Sequence, residues 1–190
     1  MPNYYNELPE NAKLVKTIDA KNNKTMLIFN LIAILIMIAC ILPIIIFKRF
    51  SLKNIESSDM MIGLGIYLIG MIAYIILHEL THGIVYKIMT KQKLTFGITL
   101  SCAFCGVPTI YVTRKTAILA ILAPFVVFTL ILLPVIIVLP ANIINLAIVL
   151  IFGTHISGCV GDLYGTLVLL KLKGKILMND TGPKQTFYQI

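Results

Sequence analysis

Residues 60–83 read "MMIGLGIYLIGMIAYIILHELTHG". The first 18 of them carry no charge, and the last six set two histidines around a glutamate. An apolar run of about 20 residues is what a helix needs to cross the hydrocarbon of a bilayer. Ionisable groups are costly inside such a span and are kept there for function. On a helix, positions four apart share a face. His78 and His82 therefore stand one above the other, with Glu79 turned about 100° around the axis. The stretch reads as a membrane helix whose end displays the HExxH spacing.

The rest of the chain agrees with a membrane solvent. Of 190 residues, 58% are hydrophobic and only 13% charged, too few charges to cover a soluble surface. The length suits one domain. Four apolar runs reach spanning length, at about 26–47, 60–86, 116–139 and 142–170. Pro43, Pro124 and Pro134 fall inside them, where neighbouring helices can accommodate a kink. Thirteen basic residues lie before the first run, between the second and third, and after the fourth, against three (Lys48, Arg49 and Lys53) on the opposite side. By the positive-inside rule both termini are cytoplasmic, which makes this a multi-pass protein of the cell membrane. The second and fourth helices then run in the same direction.

The net charge of +8 does not point to nucleic acid, because the basic residues flank apolar runs instead of forming a stripe with aromatics. The expected partners are the lipid bilayer and a membrane-associated peptide or protein. Oligomeric state is not legible. Four cysteines are too scattered for a disulfide framework. The first 25 residues lack the basic start and short apolar core of a signal peptide. The expected organisation is a cytoplasmic tail over 1–25, a membrane domain over 26–175 and a second tail over 176–190. The fold class is all-α, with about four transmembrane helices and one short membrane-associated β-hairpin.

That hairpin is expected over 94–113, "LTFGITLSCAFCGVPTIYVT". Apolar residues at 94, 96, 98 and 100 alternate with small or polar ones, a strand period. "CGVP" supplies the turn and "TIYVT" the returning strand. Cys102 and Cys105 form a lone CxxC, which reads more simply as small residues in a buried turn.

Zinc takes imidazole and carboxylate ligands in tetrahedral geometry, and a catalytic zinc keeps three protein ligands. His78 and His82 supply two. Glu79 is placed to act as general base on water, the chemistry attached to HExxH on a helix. For the third ligand the fourth run offers His155 and Asp162 in "THISGCVGDLYG". Depth favours Asp162: His78 lies nine residues before Lys87, and Asp162 nine before Lys171. His155 lies about 10 Å further out at 1.5 Å per residue and reads as a hydrogen bonder in the cavity or behind the ligands. Gly158, Gly161 and Gly165 bracket Asp162 and suit close helix packing, and Thr81 and Gly83 read as packing residues.

"HELTHG" at 78–83, "VPTIYVTRKTAILAILAPFVV" at 107–127 and "SGCVGDLYG" at 157–165 together resemble small bacterial four-helix membrane proteins of the zincin-peptidase type, similar in outline to the site-2 proteases. The resemblance implies a Zn2+ site from His78, His82 and Asp162, with Glu79 as base. It also implies cleavage of membrane-associated peptide bonds, with an extended substrate beside the strand at 94–101. Site-2 proteases carry Asn and Pro ahead of an Asp-Gly pair, whereas Asp162 is followed by Leu163, so their substrate-handling residues do not transfer. Two other readings use the same residues: a non-catalytic metal-binding membrane protein, and a small transporter built on buried His and Asp groups. No internal repeat of the kind transporters carry is visible.

Overall fold

The computed structural model describes residues 2–50, 56–99 and 103–190. It contains four helical stretches long and apolar enough to cross a membrane: α1 (Asn23–Lys48), α2 (Ser57–Thr90), α3 (Arg114–Val138), and Ile143–Lys171, which divides into α4 (Ile143–Gly158) and α5 (Val160–Lys171). The first is capped by Asn22, whose side-chain oxygen accepts from the N–H groups of Lys24 and Thr25, satisfying otherwise orphaned donors. It buries no residue at all. Leu35 and Phe47 are 67% and 88% exposed, as befits a helix whose solvent is lipid. The single helix expected over 142–170 is interrupted at Cys159, whose N–H bonds back to the carbonyls of His155 and Ser157. Flanking Gly158 and Gly161 weaken helix continuity there, and the interruption puts Asp162 in the first turn of α5.

The all-α expectation is corrected by two sheets. One is the pair β3 (Thr95–Ile98) and β4 (Ala103–Gly106). The other has five antiparallel strands: β1 (Tyr4–Tyr5), β2 (Lys13–Asp19), β5 (Tyr111–Thr113), β6 (Ile176–Asp180) and β7 (Lys184–Gln189), in the order β1-β5-β6-β7-β2. Both segments expected as tails thus carry strands. The expected hairpin exists with a different partner and turn. Thr95 pairs with Gly106 and Ile98 with Ala103, so the chain reverses between 98 and 103. "CGVP" only starts the connection to β5, which pairs with β1 and β6 instead. Cys102, half of the CxxC, lies outside the described residues.

The chain forms two compact units: residues 1–29, 78–124 and 161–190, and residues 30–77 and 125–160. The first holds both sheets around a core that includes Tyr86, Val107, Ile121, Leu169, Met178 and Phe187. Its N-terminal strap ties helix ends together. The Asn3 side chain donates to the Met89 carbonyl, and the Asn3 carbonyl accepts from the Thr113 N–H and the Thr116 hydroxyl. The second unit packs Ile136, Val149 and Phe152. In it the buried Asn145 amide donates to the carbonyls of Ile136, Leu139 and Pro140, closing the end of α3.

Candidate metal centre

His78, Glu79, His82, Ala120 and Asp162 all belong to the first unit. The helix α2 brings His78 and His82 to one face as their spacing requires. Both are buried, and their Nε2 atoms lie 3.2 Å apart. From the first turn of α5, the Asp162 Oδ2 stands 3.4 Å from one Nε2 and 3.5 Å from the other. Three ligand-type atoms therefore form a nearly equilateral triangle. Atoms held about 2.0–2.2 Å from a zinc ion at tetrahedral angles stand about 3.3–3.6 Å apart. Two imidazoles and a carboxylate at this separation are a donor set that fits zinc.

The tautomer of His82 follows from its other nitrogen. Nδ1 lies 2.8 Å from the carbonyl oxygen of Ala120 on α3. A carbonyl only accepts, so Nδ1 carries the hydrogen, and when the ring is neutral its Nε2 lone pair faces the triangle. This is the backing that orients a metal-binding histidine.

Glu79 points elsewhere on the helix, as its rotation predicts. Its carboxylate accepts from the backbone N–H of Cys105 on β4. The β3–β4 hairpin reaches this position because residue 83 is glycine. A Cβ there would stand 2.8 Å from Phe96, 3.1 Å from Leu94 and 3.3 Å from Cys105 Sγ. Of the three glycines around Asp162, only Gly165 is a tight approach, against the Gln185 side chain. Positions 158 and 161 have only ordinary contacts.

Sequence reasoning passed over Tyr86 and Asp180. Tyr86 is fully buried, and its hydroxyl donates to Asp180 Oδ2 at 2.6 Å. Asp180 Oδ1 accepts from the Gly182 N–H at 2.9 Å. Burial pushes the Asp180 carboxyl up to about 6, against the lowering effect of these two donors. Burial, then the Glu79 and Asp180 charges, push the Cys105 thiol up to about 12, so it is inert as a nucleophile. A signal for Tyr86 was available, since it continues the 78–82 stripe at the next i+4 position. For Asp180 there was none, because its partner lies 94 residues away.

His155 is fully buried in the second unit. Its Nδ1 lies 3.1 Å from the Tyr74 hydroxyl and its Nε2 3.1 Å from the Thr129 hydroxyl. The rings of Phe125, Phe128 and Phe152 surround it.

Residues 71–177 match the model of a family described as "Putative zincin peptidase". The chain belongs to that family. The match covers α2 from before the HExxH motif, the two short strands of the hairpin, α3, and the helix bearing Asp162. Membership in a zincin family implies a zinc-dependent peptidase. No curated protein and no solved structure matches the chain.

Proposed function

We propose that this zincin-family protein is a membrane-embedded zinc peptidase that hydrolyses peptide bonds of membrane-associated substrates near the cytoplasmic face. His78, His82 and Asp162 hold the metal, and Glu79 is the catalytic base. The observation that carries this reading is the triangle of two Nε2 atoms and one carboxylate oxygen with edges of 3.2, 3.4 and 3.5 Å.

Zinc, when bound, supplies Lewis-acid polarisation of the scissile carbonyl and an activated water. The chain's own residues do the rest. The Ala120 carbonyl keeps the proton on Nδ1 of His82, so its Nε2 stays a donor atom. Glu79 takes a proton from the attacking water and returns it to the leaving amine nitrogen. The Cys105 N–H holds the Glu79 carboxylate from the β4 side. The β3 strand beside Gly83 offers backbone groups to an extended substrate segment by strand addition. The excess of basic residues on the side of Lys87, Lys91 and Lys171 supports a cytoplasmic location for this end of the molecule.

The test is the zinc content of the protein purified in detergent. One ion per chain is expected in the wild type, with loss in His78→Ala and in Asp162→Ala. Wild type without zinc, or full zinc in Asp162→Ala, removes the reading.

A further inference from the structure

Asp180 lies beyond the stretch that matches the family model, in the C-terminal hairpin, yet it touches the machinery from two sides. Its side chain accepts from the Tyr86 hydroxyl, one turn past His82 on α2. Its backbone carbonyl accepts from the Val107 N–H at 2.8 Å, two residues past the Cys105 amide that meets Glu79. Between these contacts β4 and the β6–β7 turn are in backbone contact. A Cβ at Gly106 would stand 2.5 Å from the Gly182 nitrogen and 2.8 Å from the Asp180 carbonyl oxygen. Gly182 itself has φ +94°, a left-handed conformation suited to glycine, and its N–H is held by the Asp180 carboxylate. One residue thus holds its own turn, the strand beside the base, and the helix that carries the base.

The chemistry chosen for this pin is expensive. Asp180 is 3% exposed, and among the described residues it makes no ion pair. A buried carboxylate without a counter-ion costs more than a neutral acceptor would. What it gains is a short charge-assisted bond, the strong and directional kind, to a tyrosine on the HExxH helix.

We propose that Asp180 is a positioning residue: gripping Tyr86 with its side chain and Val107 with its carbonyl, it sets the distance between α2 and β4, and so the place where the Cys105 N–H meets Glu79. The inference rests on the zinc-peptidase reading for its consequence, but the grip itself does not depend on metal. Tyr86→Phe removes one hydroxyl from a buried ring and keeps the packing. Asp180→Asn keeps the acceptor for Gly182 and exchanges the charged acceptor for a neutral amide.

The experiment measures three things on wild type, Tyr86→Phe, Asp180→Asn and the double variant, each purified whole in detergent. These are zinc content, hydrogen exchange of backbone amides, and turnover of a fluorogenic peptide carrying one apolar span. Zinc content is expected to stay at the wild-type value. Exchange is expected to rise in the segment 103–107 but not in 184–189. Turnover is expected to fall about 10- to 100-fold in kcat, with KM unchanged, as for lost support around a metal site. The double variant should be no worse than the poorer single one, because both changes cut the same link. Unchanged exchange at 103–107 in both single variants overturns the proposal, and so does exchange rising equally in 184–189, which marks general loosening. Failure of the zinc reading shows separately, as wild type without zinc or turnover, and the exchange comparison then decides the grip by itself.

Discussion

His82 and His155 are both buried histidines on apolar helices, and each has an oxygen within hydrogen-bond distance of Nδ1. The oxygens differ in kind. His82 faces a carbonyl, which can only accept, so its tautomer is set and its Nε2 is committed to the atoms of His78 and Asp162. His155 faces hydroxyls at both nitrogens, from Tyr74 and Thr129. Either hydroxyl can donate or accept, so either tautomer is satisfied. Burial of a histidine is therefore no mark of a metal site. The mark is a fixed tautomer plus a second imidazole and a carboxylate at one common separation.

The sharpest way to break this contrast is Glu79→Gln. Hydrolysis of a membrane-anchored reporter peptide should fall by about 10²–10⁴, the usual worth of a positioned acid–base group, while zinc content holds. Retained turnover would make the site a metal-binding one of another kind. Next comes His155→Ala, which should leave zinc in place and lower stability by about 1–3 kcal/mol, since the buried Tyr74 hydroxyl and the half-buried Thr129 hydroxyl lose a partner. Thermal unfolding and metal analysis of the same preparation read both numbers. Loss of zinc there would erase the distinction between the two histidines.

A smaller effect is expected from pH. The Asp180 carboxyl titrates near 6 in the folded protein and near 3.8 when free. Between these values the folded state keeps a proton that the unfolded state has released. Stability should therefore be highest at the acid end and fall as pH rises from about 4 to about 6, by at most about 1.4 kcal/mol per pH unit. In Asp180→Asn this component of the slope should vanish; a slope unchanged in the variant would assign it to other groups. The smallest effect belongs to Gly83→Ala. Helix propensity favours the change by up to about 1 kcal/mol, but the new methyl meets Phe96 and Leu94. A net loss below about 1 kcal/mol is expected, measured by unfolding in detergent. A clear gain in stability would mean that the hairpin yields easily.

Legibility varied with the range of the interaction. The spans and the i+4 pair of histidines were readable because each follows from local period or length, and rise per residue put Asp162 level with His78. The strand at 95–98 was readable from its alternation, but its turn was not. "CGVP" is turn-like by composition, yet Cys105 and Gly106 pair with Phe96 and Thr95 inside the strand. The strands within the two tails were not legible because many of their partners are remote. Tyr4 pairs with Val112, and Lys13 with Gln189.

By itself the sequence determined a chain with four membrane-length apolar helices and a polar HExxH cluster at the end of one of them, since hydrophobic length and helical period are properties of a segment alone. Only the tertiary structure decided that Asp162 meets both histidines at zinc-binding separation, that the Ala120 carbonyl sets the tautomer, and that Asp180 grips Tyr86. Those contacts join residues 38 to 94 positions apart, and no local pattern encodes which distant backbone group will arrive at a given side chain.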